Sequence, residues 1–132
     1  MTFEYCTLLL AATLALVHIA AAAFSFNAQV GNAYTVGARN EGLQPFGLSG
    51  RLHRAQSNFM ETFPLFVACI FLVGATQSTG VLSKCGCILY LGGRIFFLPL
   101  YAIGVPWLRT FSWNIATFGL AMIGLSAALK MA

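Results

Sequence analysis

Arg51-Leu-His-Arg54-Ala-Gln56-Ser-Asn58-Phe-Met-Glu61-Thr-Phe-Pro64 leads straight into Leu-Phe-Val-Ala-Cys-Ile-Phe-Leu-Val-Gly-Ala-Thr76. A polar head on an apolar run of this length is the mark of a helix entering a bilayer, which needs about 20 mostly apolar residues. The rest of the chain repeats the theme. Of its 132 residues 59% are hydrophobic and 8% charged, with a mean hydropathy of +0.83. So few charges cannot clothe a soluble domain. Four stretches come close to spanning length, roughly Phe3–Phe26, Ala55–Thr76, Val81–Ile103 and Trp107–Met131. They leave one sizeable loop, near Asn27–Leu52, and two short ones. The expected fold is a single all-α integral-membrane domain over residues 1–132, a bundle of four transmembrane helices.

The first span is expected to be a retained helix, although Ala20 to Ala23 resembles a signal cleavage site. The residues before it carry Glu4 and no Lys or Arg, and the apolar stretch is long for a signal core. The net charge of +4 does not imply nucleic-acid binding, because topology explains where the basic residues lie. Arg39, Arg51, Arg54 and Arg109 fall on one side of the membrane, with only Lys84 and Lys130 near the helix ends opposite. The positive-inside rule then places the first and third loops in the cytoplasm and both termini outside. Cys6 and Cys69 sit in apolar spans and behave as small hydrophobes. Cys85 and Cys87 form a lone CxC with no neighbouring histidine, so no metal is expected.

Burying a charge in hydrocarbon costs about 2.5–3.5 kcal/mol even on the lenient insertion scale. Charges inside spans therefore mark function. At about 100° per residue, Arg51, Arg54, Asn58 and Glu61 share a sector of about 80° on the second span. Cation, amide and carboxylate are thus stacked along one stripe running into the membrane. The bland reading is an Arg–Glu pair stitching the bundle, with Asn58 as an interhelical hydrogen bond. It leaves a surplus of arginine unexplained. On the third span Tyr90, Arg94, Phe97 and Tyr101 share a face, and Glu61 is the obvious counter-charge for Arg94. One glutamate cannot neutralise Arg54 and Arg94 together, so an anionic ligand with carboxylates is expected to complete the site.

Arg109 and Thr110 open the fourth span, where the helix dipole adds positive potential. A guanidinium there can raise the thiolate fraction of a nearby thiol; equally, it can be a plain interfacial arginine. His18, inside the first span, is expected to make an interhelical hydrogen bond, and His53 to lie at the interface. Pro64 and Pro99 fall within spans, where neighbours can satisfy the freed carbonyls. Pro106 fits a first-turn position. Gly124 and Ala128, at small-xxx-small spacing, would allow close helix approach. No Ser-His-Asp set, phosphate-binding glycine loop or paired-carboxylate site is present.

Taken together, Arg51-x-x-Arg54-Ala-Gln56-x-Asn58-x-x-Glu61-x-Phe-Pro-Leu-Phe, Gly-Gly-Arg94-x-x-Phe-x-x-x-Tyr101 and Arg109-Thr110 resemble the MAPEG family. These are the membrane-associated proteins of eicosanoid and glutathione metabolism, among them microsomal glutathione transferases, leukotriene C4 synthase and prostaglandin E synthase. The likeness covers all four spans; its specific part is the second-span motif. It implies a homotrimer with active sites between neighbouring subunits, opening toward the cytosol. Arg51, Arg54, Gln56, Asn58, Glu61, Arg94 and Tyr101 match positions that bind glutathione, the thiol co-substrate, or support its pocket. Arg109 matches the arginine that stabilises the thiolate, with Thr110 beside the sulfur. Three departures accompany the match. Asn32 stands in the stretch where characterised relatives carry a first-span arginine, Phe97 replaces a polar ring, and the Tyr101–Arg109 spacing differs by one residue.

The resemblance therefore implies a membrane glutathione transferase or peroxidase acting on a lipophilic electrophile or hydroperoxide from the bilayer. The short loops point to a prokaryotic member in a bacterial inner membrane, with the endoplasmic reticulum as the alternative. A non-catalytic lipid-binding or scaffold protein of the same fold is the main rival. A small proton-coupled transporter using Glu61 is a third class, and drug exporters of that size place their key glutamate in the first span, where this chain has only His18.

Overall fold

The computed structural model describes residues 2–132. Its helices are α1 (Phe3–Val30), the short α2 (Asn32–Val36), α3 (Gly47–Ala75), α4 (Val81–Ile103) and α5 (Pro106–Met131). The four long ones are each long and apolar enough to cross a membrane. At 1.5 Å per residue, 23 to 29 residues make about 35–43 Å of helix, longer than the ~30 Å hydrocarbon core. The fold is therefore the expected four-span bundle, of multi-pass membrane type.

The helix ends depart from the hydropathy reading in two places. α1 continues past Phe26 to Val30, and α3 begins at Gly47 rather than at Ala55, so the loop expected over Asn27–Leu52 shrinks. Hydropathy marks only the part of a helix that sits in hydrocarbon. The added turns carry Asn27, Gln29, Arg51 and Arg54, which belong above it. Gly31 stops α1 with a backbone φ of +86° and donates its N–H to the Asn27 carbonyl at 2.8 Å. A glycine takes that conformation without a Cβ penalty. Gln29 then clamps the remaining loop: its amide donates to the Gln44 carbonyl at 3.1 Å and accepts from the Phe46 N–H at 3.1 Å.

Contacts at both ends fix an alternating, antiparallel arrangement. At the loop end, Arg51 Nε donates to the Ala102 carbonyl at 2.8 Å, capping one of the last carbonyls of α4 that have no intrahelical donor. At the end holding the chain termini, the buried Glu4 accepts the Ser83 hydroxyl at 2.6 Å. α1 is thus an integral part of the bundle, packing with Ala11, Ala15 and Ala22 buried. Between the ends, Phe66 stacks on Tyr90 with ring centres 4.1 Å apart.

α4 and α5 approach most closely, and glycine makes that possible. A Cβ on Gly93 would lie 2.7 Å from the Ser112 carbonyl, and one on Gly119 would lie 2.6 Å from the Gly86 carbonyl. Ser112 adds a hydroxyl hydrogen bond to the Gly93 carbonyl at 2.6 Å. The expected Gly124–Ala128 pair does not form this seam. A Cβ at Gly124 would meet only the Cys69 sulfur at 3.6 Å, an ordinary contact, and Ala128 is exposed. The glycines that face α5 come from α4, a partnership that spacing within one helix does not reveal. α4 then ends at Gly104 (φ +80°), whose N–H reaches the Leu100 and Tyr101 carbonyls, and α5 starts at Pro106. Two residues join the helices, with the proline at the first-turn position it favours.

The seam makes a testable contrast between neighbouring glycines. Gly93→Ala forces overpacking and should cost about 1–3 kcal/mol. Gly92→Ala, with open space around its Cβ position, should be neutral or stabilising through helix propensity. Thermal unfolding of the two variants in detergent checks this, and equal midpoints would refute the seam.

Candidate functional site

Arg94 is fully buried midway along α4. Its Nη1 donates to the Asn58 side-chain carbonyl at 2.8 Å and its Nη2 to the Thr62 hydroxyl at 2.6 Å. The Tyr90 and Phe97 rings flank it, 5.8 and 5.4 Å from the guanidinium carbon. The cation is therefore held by an amide, a hydroxyl and two ring faces. Glu61, the counter-charge expected from the sequence, is exposed on α3. The helical repeat explains why. Thr62 lies about 40° from Asn58 and on the far side of it from Glu61, which lies about 60° the other way. The α3 face turned to α4 is centred between Asn58 and Thr62.

Asn58 also borders a cleft of about 240 Å³, with Phe97, Tyr101, Arg109, Thr110 and Trp113 as its other walls. The Arg109 guanidinium carbon lies 4.4 Å over the Tyr101 ring, and Phe97 meets Tyr101 edge-on at 5.3 Å. The short Gly104–Pro106 turn folds α5 back so that residues eight apart in sequence come face to face. Thr110 donates its hydroxyl to the Pro106 carbonyl at 3.0 Å, which leaves the oxygen free to accept a further bond. Arg109 is thus a cation held by an aromatic face at the open end of a cleft, and it can meet an anion there.

The other expected residues lie elsewhere. Gln56 is about 200° around α3 from Asn58 and lines a separate cavity of about 440 Å³, among others with Asn27, Asn32, Arg39 and His53. There Arg39 is tied back by two hydrogen bonds to the Thr35 carbonyl, at 3.1 and 2.7 Å. Arg51 is engaged in capping α4, and Arg54 is exposed near the start of α3. The chain therefore gathers Asn58, Tyr101, Arg109 and Thr110, with Arg94 behind them, and holds Gln56 and Asn32 on the opposite face of α3. The interhelical bond expected of His18 is not formed. Its ring stacks on Phe59 at 4.6 Å, and neither ring nitrogen has a partner.

Two contributors were not singled out from sequence. Thr62 shares a helix face with Asn58, a signal available in the i, i+4 spacing. Trp113 follows Arg109 by one turn, but a tryptophan in an apolar span carries no mark of its own. A groove of about 360 Å³ on the outer face of α4 and α5 is lined by apolar side chains around Phe96 and Phe111, with Ser112 at its edge. It holds no titratable group.

The sequence as a whole has relatives among known proteins. The model of the MAPEG family matches residues 3–129, nearly the whole chain. The chain belongs to the MAPEG family. A search of curated proteins returns no match. Membership places this protein among membrane proteins that include glutathione transferases and related proteins, some of them non-catalytic. Within this MAPEG chain, the buried charge donates its hydrogen bonds to Asn58 and Thr62, and Glu61 makes none with it. Thr62→Val leaves a guanidinium N–H without its acceptor and should cost about 1–3 kcal/mol. Glu61→Gln at an exposed position should stay within about 0.5 kcal/mol. Unfolding midpoints of the two variants decide it, and a larger loss in Glu61→Gln would return the charge to the carboxylate.

Proposed function

We propose that this MAPEG protein is a membrane glutathione transferase or peroxidase that activates the glutathione thiol for attack on a lipophilic electrophile or hydroperoxide. The observation that carries the reading is Arg109, stacked on Tyr101 beside the Thr110 hydroxyl at the open end of the Asn58 cleft. A thiol placed there meets a guanidinium at the N-terminus of α5, and both the charge and the helix dipole favour its thiolate. Arg94 adds positive potential from behind, since the groups that hold it are neutral. Arg54 and Asn58 offer donors for carboxylate ends, and the exposed Glu61 an acceptor for an ammonium. These are the complements of a small zwitterionic peptide.

Each protomer carries two polar cavities on opposite faces of α3. A homotrimer would set the Asn58–Arg109 cleft of one copy against the Gln56–Asn32 cavity of its neighbour, so one ligand would touch both. The arginines at the loop end favour a cytoplasmic opening by the positive-inside rule. Lipophilic substrate would arrive from the bilayer side of the same cleft.

Difference absorbance in the thiolate band, on adding glutathione to the purified protein, tests the reading. The wild type should give a signal that Arg109→Ala loses, with turnover falling about 100-fold or more, the scale set by removing one preorganised donor to a developing anion. Native mass spectrometry of both proteins should report the same trimer. Ligand binding without a thiolate signal would favour the non-catalytic lipid-binding or scaffold alternative.

A further inference from the structure

The apolar groove between α4 and α5, about 360 Å³, lies away from the polar cavities. Gly92 and Phe96 each stand about 160° around α4 from Arg94, so the groove opens on the side of α4 turned away from the Asn58–Arg109 cleft. Its α4 wall is the row Ile88, Gly92, Phe96 and Leu100, repeating every four residues. The missing side chain at Gly92 leaves a gap in that row, with nothing within 4 Å of its Cβ position. Ser112, at the edge, directs its hydroxyl to the Gly93 carbonyl. A molecule in the groove meets hydrocarbon and ring faces and no free side-chain donor.

Depth and length indicate the occupant. Leu100 lies about 5 Å, and Ile88 about 23 Å, from Ile103 at the loop end of α4. On α5, Leu108 lies about 3 Å from Pro106. Trp107, 85% exposed beside it, is placed where tryptophans meet the headgroups. The groove thus starts near one membrane surface and runs inward for about 18 Å, close to half of the ~30 Å hydrocarbon core. An extended chain entering from the headgroup level has this reach. A neighbouring copy arranged about the two α3 cavities leaves this side of α4 to the bilayer.

We propose that the groove holds one acyl chain of a phospholipid from the loop-side leaflet, as a defined lipid site separate from the Arg109 cleft and independent of its chemistry. Apolarity alone does not retain the chain, since the surrounding lipid is equally apolar. A concave site retains it by closing on both flanks, where a convex helix face touches one side.

A phosphatidylcholine carrying a mid-chain diazirine, irradiated in nanodiscs holding the full-length protein, tests this by peptide mapping. Ile95 is the reference, because it lies on α4 at the depth of Phe96, is 48% exposed and is outside the groove. Labelling of Ile88 and Phe96 should exceed that of Ile95 about fivefold, the scale of several added atom pairs at close range. Gly92→Leu fills the gap with a better helix former. It should bring the groove down to the Ile95 level while Ile95 itself stays unchanged, which also shows the bundle intact. Equal labelling in the wild type would overturn the proposal in favour of bulk lipid, as would a groove signal that survives Gly92→Leu. Disulfide-linked dimers of Phe96→Cys in the membrane, absent from the wild type, would overturn it by giving the groove to a second copy.

Discussion

The buried charge of Arg94 constrains everything around it. A guanidinium in the middle of an apolar bundle is costly unless its N–H groups are met, and here Asn58 and Thr62 meet two of them while Nε has no partner. Those acceptors must sit one turn apart on α3, which sets the rotation of α3 against α4. Rotation in turn decides what the rest of α3 can face. Asn58 borders the Arg109 cleft, Gln56 is thrown to the α1–α2 side, and Glu61 is left outside. Because amide and hydroxyl carry no charge, the hydrogen bonds that anchor the cation do not themselves cancel it. Its field persists in surroundings where screening is weak.

A second constraint is the glycine seam between α4 and α5. The backbones approach too closely for side chains at Gly86, Gly93 and Gly119. This fixes the register in which Ser112, the residue before Trp113, reaches Gly93. Seam and turn together position the cleft's α4 and α5 walls, while α3 supplies the remaining one.

How far the sequence discloses this depends on the kind of information involved. The span Val81–Ile103 was legible to the residue, because an apolar run bounded by two glycine-containing turns has no competing reading. The starts of polar helix extensions were not legible: nothing in the composition of Gly47–Arg54 separates helix from loop. The grouping of Asn58, Tyr101, Arg109 and Thr110 followed from the motif. The choice between Glu61 and Thr62 did not, because charge drew attention to the carboxylate while geometry favoured the hydroxyl. Gln56 shows the same limit. Two residues from Asn58 in sequence, it lies on the opposite helix face, and a list of motif positions hides that they serve different cavities.

The two-residue link from Gly104 to Pro106 has a consequence for how this protein can change. It makes the stacking of Arg109 on Tyr101 a property of one helical hairpin, formed between near neighbours in the chain. The other cavity draws its walls from α1, α2 and the opposite face of α3. Substitutions on that side can leave the Arg109–Tyr101 pair untouched, so on the proposed reading grip and reactivity can vary as separate traits within one small bundle.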